Sequence, residues 1–267
     1  MKGLYFLLTL FLFSANCSGT DSSMKHFTLN NQNHMVVRGQ VTGESVSKWI
    51  LDLNKIKSDE INIYITSPGG SIMAGLTFID QIKQLEASGK KINCVADIAA
   101  SMAFIIFQSC PNRYTTSSSI LMQHQMSLGL SGQIENVKSY LEFLANIEED
   151  MNQLQAKKMG MGEEEFAKRT VHDWWLSGSS IINNNAADEM VHVGCDSSLL
   201  DNTVDQNINT IFGTVVLRFS KCPLSRDPIS QHFRGVVDNA VIEDIQDKYI
   251  PSHGLRNLVK KTNYNML

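Results

Sequence analysis

Ala99-Ala100-Ser101-Met102-Ala103-Phe104 sets a serine among small residues where a strand-like run gives way to an apolar, helix-like one. Upstream, Ile92-Asn93-Cys94-Val95 has the alternating, β-branched pattern of a short buried strand. Downstream, Met102 to Gln108 fits a buried helix. A strand-to-helix turn pushes a serine Oγ out of the sheet, with the N–H groups and positive potential of a helix N-terminus behind it. Serine is also favoured as the N-cap of any helix, so the turn alone marks a helix start as readily as a nucleophile. Its partners decide between the two.

Those partners follow in chain order. Ile61-Asn62-Ile63-Tyr64-Ile65-Thr66 alternates like a strand, runs into Ser67-Pro68-Gly69-Gly70-Ser71, and leads to a helix over Ile72 to Leu85. Pro68 fixes φ and the glycine pair reaches backbone conformations closed to other residues, so an N–H can be aimed at a substrate oxygen. Further on, Ile120-Leu121-Met122-Gln123-His124-Gln125 is strand-like and carries a histidine in apolar company. After a long helix, Thr170-Val171-His172-Asp173-Trp174-Trp175-Leu176-Ser177 sets an acid beside two large aromatics. A serine, a histidine and an acid, preceded by a Gly-Gly turn, are the parts needed for acyl transfer with an oxyanion hole. Singly each has a plainer reading: His124 as a core histidine, Asp173 as a cap, and His172 as a rival base.

Four blocks, Ser67-Pro68-Gly69-Gly70-Ser71-Ile72-Met73-Ala74-Gly75, Ala99-Ala100-Ser101-Met102-Ala103, Met122-Gln123-His124-Gln125 and Asp173-Trp174-Trp175-Leu176-Ser177, resemble in order and spacing the signature blocks of the Clp protease proteolytic subunit family. These are serine peptidases of the Clp/crotonase fold, and the resemblance runs from Asn33 to Val193. It implies Ser101 as nucleophile, His124 as general base, Asp173 as the orienting acid, and the N–H groups of Gly70 and Met102 as the oxyanion hole. It also implies an α/β fold of repeated β-β-α units with a largely parallel sheet and a long handle helix. Substrates would be peptides or unfolded polypeptides, with no cofactor and no metal. The substrate would add as a strand beside Gln125-Met126-Ser127-Leu128-Gly129-Leu130. Met126 and Leu128 stand where the family carries a proline and paired glycines, which points to a narrower, more apolar groove.

The pattern along the chain agrees. His34 to Val41 reads as a first strand and Glu44 to Ile56 as a helix with Val46, Trp49, Ile50 and Leu53 on one face. Strand and helix then alternate through Ser101, as in an α/β domain with crossover connections. From Gly132 to Met159, apolar residues recur at three- and four-residue intervals, a long amphipathic helix. In the resembling family this helix is the handle where two rings meet; packing on its own domain is the other reading. Relatives join rings through a charged pair just before the catalytic acid. Val171 and His172 occupy those places, so the expected assembly is a homo-oligomer, a single ring or smaller.

At the start, Met1-Lys2-Gly3 and an apolar run from Leu4 to Phe13 precede Ser14-Ala15-Asn16-Cys17-Ser18-Gly19. This is the make-up of a secretory signal peptide over 1–19, too short to span a bilayer. Cys17 leaves two outcomes open, lipid anchoring or simple cleavage near Gly19, and either predicts an exported protein, periplasmic or extracellular. Residues 20–33 are polar and unpatterned and read as a linker or disordered arm. Nothing there resembles the axial loops with which Clp peptidases engage an ATPase, so partnership with an unfoldase is not expected.

The peptidase domain is assigned to 34–195 and a C-terminal extension without assigned role to 196–267. In the extension Ile211 to Arg218 reads as a strand, Val236 to Tyr249 as a helix, and the stretch around Arg256, Lys260 and Lys261 as a solvated face. With 43% hydrophobic residues the chain can fill one sizeable core, and a net charge of −4 gives no footprint for nucleic acid. Of five cysteines, Cys195 and Cys222 are the expected bridge because both lie in loop-like sequence, while Cys94 and Cys110 read as buried thiols. Three rival functions stand beside this one: a Ser-Lys peptidase of the signal-peptide type using Lys138, a crotonase-type acyl-CoA enzyme, and an inactive scaffold subunit. The histidine block speaks against the first, the serine against the second, and the full set of three groups against the third.

Overall fold

The structure, a computed structural model, describes residues 24–211, 213–236 and 238–264. The expected signal peptide, Cys17 included, lies outside the described residues. The first half alternates strand and helix: β1 (His26–Leu29), β2 (His34–Arg38), α1 (Gly43–Lys55), β3 (Glu60–Ser67), α2 (Ile72–Ala87), β4 (Lys91–Ala100), α3 (Met102–Gln108) and β5 (Asn112–Gln123). Thr42 starts α1 with a capping box: the Ser45 N–H donates to Thr42 Oγ1 at 3.2 Å and the Thr42 N–H to Ser45 Oγ at 2.9 Å. Val46, Trp49 and Leu53 then turn one face of α1 inward.

Among the described residues the largest sheet has six strands in the order β2-β3-β4-β5-β6, with β7 beside β5. β2 through β5 pair in parallel, as the alternation predicts. β3 and β4 are buried along nearly their whole length because both faces are covered: Ile63 and Cys94 face the main core with α1, α2 and α3, and Tyr64 and Val95 meet Phe27 and Leu29 of β1 on the other side. α3 is buried at every position and brings Phe104 and Phe107 into the main core.

The second half carries α4 (Ile134–Met159), α5 (Glu163–Arg169), β6 (Trp174–Ser177), α6 (Ser179–Asn183), β7 (Glu189–Met190), β8 (His192–Cys195) and α7 (Ser197–Leu200). α4 stops at Gly160, whose left-handed φ of 67° releases the chain from the helix. β6 runs antiparallel to β5. The extension continues with β9 (Thr203–Asn209), β10 (Gly213–Ser220), β11 (Ser230–Gly235), α8 (Asn239–Tyr249) and α9 (Pro251–Tyr264). Its three strands form a separate antiparallel sheet. Val215, Leu217 and Phe219 of that sheet meet Ile245 and Ile250 in a core of their own.

Two expectations need correction. Residues 20–33 are not a linker over their described part, since His26–Leu29 pair in parallel with His192–Cys195. Phe27 and Leu29 pack there against Tyr64, Val95 and Tyr114; two inward residues in polar company are too few to show as a period-2 pattern. Cys94 and Cys110 are not free thiols but form a disulfide, beside the expected Cys195–Cys222. Parallel pairing of β4 with β5 sets Cys94 opposite Arg113, so the turn after α3 brings Cys110 back to β4. No described helix is long and apolar enough to cross a membrane.

Candidate active site

The parallel register brings three strand ends to one edge. Ser67 of β3 lies opposite Ala99 of β4, and Ala100 opposite Met122 of β5. From these carboxyl ends emerge Pro68-Gly69-Gly70, Ser101 and His124, the side of an α/β sheet where ligands bind. On the outer side Gln123 pairs with Trp174 of β6. One step further along that antiparallel ladder His124 comes opposite Asp173.

Ser101 has φ 53° and ψ −124°, a conformation costly for a residue with a Cβ. It is held there from both sides: its N–H donates to Met122 O at 2.8 Å, and Phe104 N–H donates to Ser101 O at 2.9 Å. Although Ser101 heads α3, its side chain makes no capping bond. Instead Oγ lies 2.9 Å from His124 Nε2. Ser101 thus occupies the N-cap position of α3 without using its side chain as a cap. Behind it Met102 is the first residue of α3, so its N–H has no acceptor within the helix.

His124 Nδ1 is 3.8 Å from Asp173 Oδ1, an ion-pair distance longer than a hydrogen bond. Both side chains are largely withdrawn from water, 24% and 18% exposed. Burial pushes the His124 pKa below its usual value, and the Asp173 carboxylate opposes that shift without cancelling it. The neighbouring Trp174 anchors the acid's segment: its ring meets Phe166 edge-on at 6.3 Å and lies 5.1 Å from the Arg169 guanidinium.

The loop after β3 presses on the serine turn. A Cβ at Gly69, where φ is 91°, would sit 2.5 Å from Ala100 O and 2.8 Å from Met102 N, so only glycine fits. Gly70 is held by a bridge to Val41, which donates to Gly69 O at 2.8 Å and accepts from Ser71 N–H at 2.8 Å. Both glycines, Ser101, Met102, His124 and Asp173 line one cleft of about 1000 Å³.

Of the expected substrate segment, Gln125, Met126 and Ser127 line this cleft, while Leu128 and Gly129 are outside its lining and exposed. The segment forms no strand, and two of its donors are engaged: Gln125 N–H with Thr170 O at 3.0 Å and Met126 N–H with Glu148 Oε1 at 3.3 Å. His172 is exposed and lines the cleft. Lys138 does not; it lies on the exposed side of α4, paired with Glu135 at 2.9 Å. Sequence reasoning missed the far wall of the cleft, which α8 and α9 supply through Asp244, Asp247, Gly254 and Leu258. The one signal in the sequence was a helical pattern, and nothing in it says where the helix docks.

A model of the Clp protease family matches residues 19–192, more than half of the chain. The chain belongs to the Clp protease family. The ATP-dependent Clp protease proteolytic subunit 2 of Bifidobacterium longum (strain NCC 2705) is 28% identical over 134 residues, which are 49% of this chain and 64% of that relative. The chain thus spans less than two thirds of that relative's length. The family match starts ahead of β1, which fits a first strand inside the domain, and ends at residue 192, leaving β9 to α9 beyond it.

Proposed function

We propose that this chain is a serine endopeptidase that cleaves peptides or unfolded polypeptides through Ser101, His124 and Asp173, with the N–H groups of Gly70 and Met102 as its oxyanion hole. The observation that carries this reading is the 2.9 Å approach of Ser101 Oγ to His124 Nε2, made in place of a helix-capping bond. A serine hydroxyl is a weak nucleophile at neutral pH, so His124 takes its proton during attack and hands it to the leaving amine. The lowered pKa keeps His124 neutral at pH 7, the form a base needs. Asp173 orients the ring through Nδ1 and stabilises the imidazolium; the present 3.8 Å closes as substrate fills the cleft, since such bonds tighten in the Michaelis complex. The two N–H groups receive the developing negative charge, each worth about 2.7–4 kcal/mol where such a donor has been removed.

Gln125 to Gly129 form the edge for an extended substrate, beyond the Gln125 and Met126 N–H groups that Thr170 and Glu148 engage. The protein is exported by its leader, and two disulfides suit an oxidising compartment. It assembles as a single ring or smaller homo-oligomer through α4, a handle whose first half exposes Ile134, Tyr140, Leu141 and Phe143. It works without an ATPase, unlike the relative whose name includes ATP dependence. The test is labelling with a fluorophosphonate: the wild-type chain is expected to label and to hydrolyse short peptides without ATP, and Ser101→Ala to do neither. A Ser101→Ala chain that keeps full peptidase activity overturns the assignment.

A further inference from the structure

Both flanks of the glycine loop end on the C-terminal helical hairpin. On one flank, Gly254 of α9 is buried against Pro68: a Cβ there would stand 2.6 Å from Pro68 Cγ and 2.9 Å from Asp247 O. One of these neighbours is a closed ring and the other backbone, so neither can swing aside. On the other flank, the strand end after β2 is tied to α8, since Gln40 N–H donates to Lys248 O at 2.7 Å. Gly39, at φ 77°, lies so close beneath the end of α8 that a Cβ would meet Lys248 O at 2.7 Å. This strand end holds the loop in turn. Val41 bridges Gly69 and Ser71, while Ser67 Oγ donates to Gly39 O at 2.6 Å and accepts from Gly69 N–H at 3.2 Å.

The hairpin is itself fastened to the peptidase sheet. Ile245 and Ile250 pack with Phe219 in the core of the extension, and the Phe219 ring lies 4.4 Å from the Arg38 guanidinium at the end of β2. Arg226, in the β10–β11 connection, grips Asp97 of β4 with two bonds, 2.6 and 2.8 Å. The Cys195–Cys222 disulfide closes the extension onto β8. Anchored at these points, α8 and α9 reach the cleft as a fixed wall.

We propose that the α8–α9 hairpin is a clamp on the oxyanion loop, with Gly254 and Pro68 as positioning residues that hold the Gly70 N–H where the reaction needs it. The proposal rests on the serine-peptidase reading and assigns the extension, which lies beyond the family match, to that same site. The physical reason is tolerance. A preorganised donor must be held within about 0.5 Å of its working position, and a displacement of about 1 Å costs about 10²-fold in rate. A loop of two glycines at φ 91° and 146° has no stiffness of its own to meet that tolerance. A lid would behave oppositely, since it obstructs the cleft and its removal speeds turnover.

Two variants test the clamp: Gly254→Leu in the full-length protein, which wedges α9 off Pro68, and a chain stopped after Pro251, which removes α9 without adding an atom and leaves Ile245 and Ile250 in place. Peptide hydrolysis, binding of a peptide boronate, and binding of an unreactive peptide in the Ser101→Ala background are measured, with circular dichroism and melting as controls of folding. Both variants are expected to lose kcat by about tenfold or more and boronate affinity in parallel, because the boronate adduct places an oxygen in the oxyanion hole. Binding of the unreactive peptide changes far less in Gly254→Leu. If kcat is unchanged or rises in a folded variant, or if only KM moves, the clamp is overturned while the peptidase reading stands. If the wild-type chain neither labels nor turns over, the peptidase reading fails and the clamp with it.

Discussion

The edge formed by β3, β4 and β5 and the extension from β9 to α9 meet at one cleft, yet they are built by different rules. At the edge the groups supplied by β3, β4 and β5 follow their strands by one to three residues, so parallel register brings Gly70, Ser101 and His124 together. The extension reaches the same cleft through contacts between residues far apart in the chain, Gly254 with Pro68 and Arg226 with Asp97. Local patterning thus specifies the chemical groups, while tertiary docking specifies the wall around them. The two regions should fail differently when altered.

The largest effect belongs to the edge. Ser101→Ala should lower kcat by about 10⁶-fold, read as loss of both peptide hydrolysis and fluorophosphonate labelling. The same position carries the backbone strain of φ 53°, so Ser101→Gly should also abolish activity while raising stability by about 1 kcal/mol. Melting curves of the two variants check this; a Ser101→Gly chain melting below Ser101→Ala would show that the turn is not strained.

Next is Asp173→Asn, for which kcat should fall by about 10⁴-fold with the fold intact. His172→Ala, exposed at the cleft wall, should change kcat by no more than about threefold; unchanged kinetics in Asp173→Asn with a large loss in His172→Ala would make His172 the base in place of His124. The pH profile sharpens the point. Burial lowers the His124 pKa, so the acid limb of kcat/KM should lie below about 6.5, the ordinary histidine value. Removing the Asp173 charge, which opposes the shift, should move that limb lower still. For stability the sign runs the same way: between the folded pKa and the unfolded one the unfolded chain binds more protons. The contribution is therefore full above about 6.5 and is lost as pH falls toward the folded value.

How much of this was legible follows from the same division. The strand over Ile61 to Thr66 and the long helix ending at Met159 were readable because their apolar residues recur at periods of 2 and 3.6, and the helix from Met102 because its run is continuously apolar. Ser67-Pro68-Gly69-Gly70 was readable because glycine and proline act on their own backbone. β1 was not, with only Phe27 and Leu29 turned inward. The Cys94–Cys110 disulfide was not, since pairing depends on how the turn after α3 returns to β4. Docking of α9 at the cleft had no local signature: Gly254 looks like any glycine in a helix until Pro68 is beside it.

The smallest effects belong to the extension's charges, and they separate fastening from decoration. Asp97 is nearly buried and accepts from Thr66 Oγ1 at 3.1 Å as well as from Arg226. Arg226→Ala leaves that carboxylate in the interior with one hydroxyl partner, and removing one member of such a pair costs about 3 kcal/mol. The Arg218–Asp205 pair looks as good by distance, 2.7 and 2.8 Å, but both of its side chains are exposed. Water solvates both charges there, so Arg218→Ala should leave the melting temperature unchanged within error. Urea denaturation of the two variants measures the contrast. If Arg226→Ala melts like wild type, Asp97 is reached by water and the extension is held by its other contacts, Phe219 and the Cys195–Cys222 bridge among them. If Arg218→Ala is the more damaging of the two, β9 and β10 are stabilised by their outer face rather than by Val215, Leu217 and Phe219 beneath it.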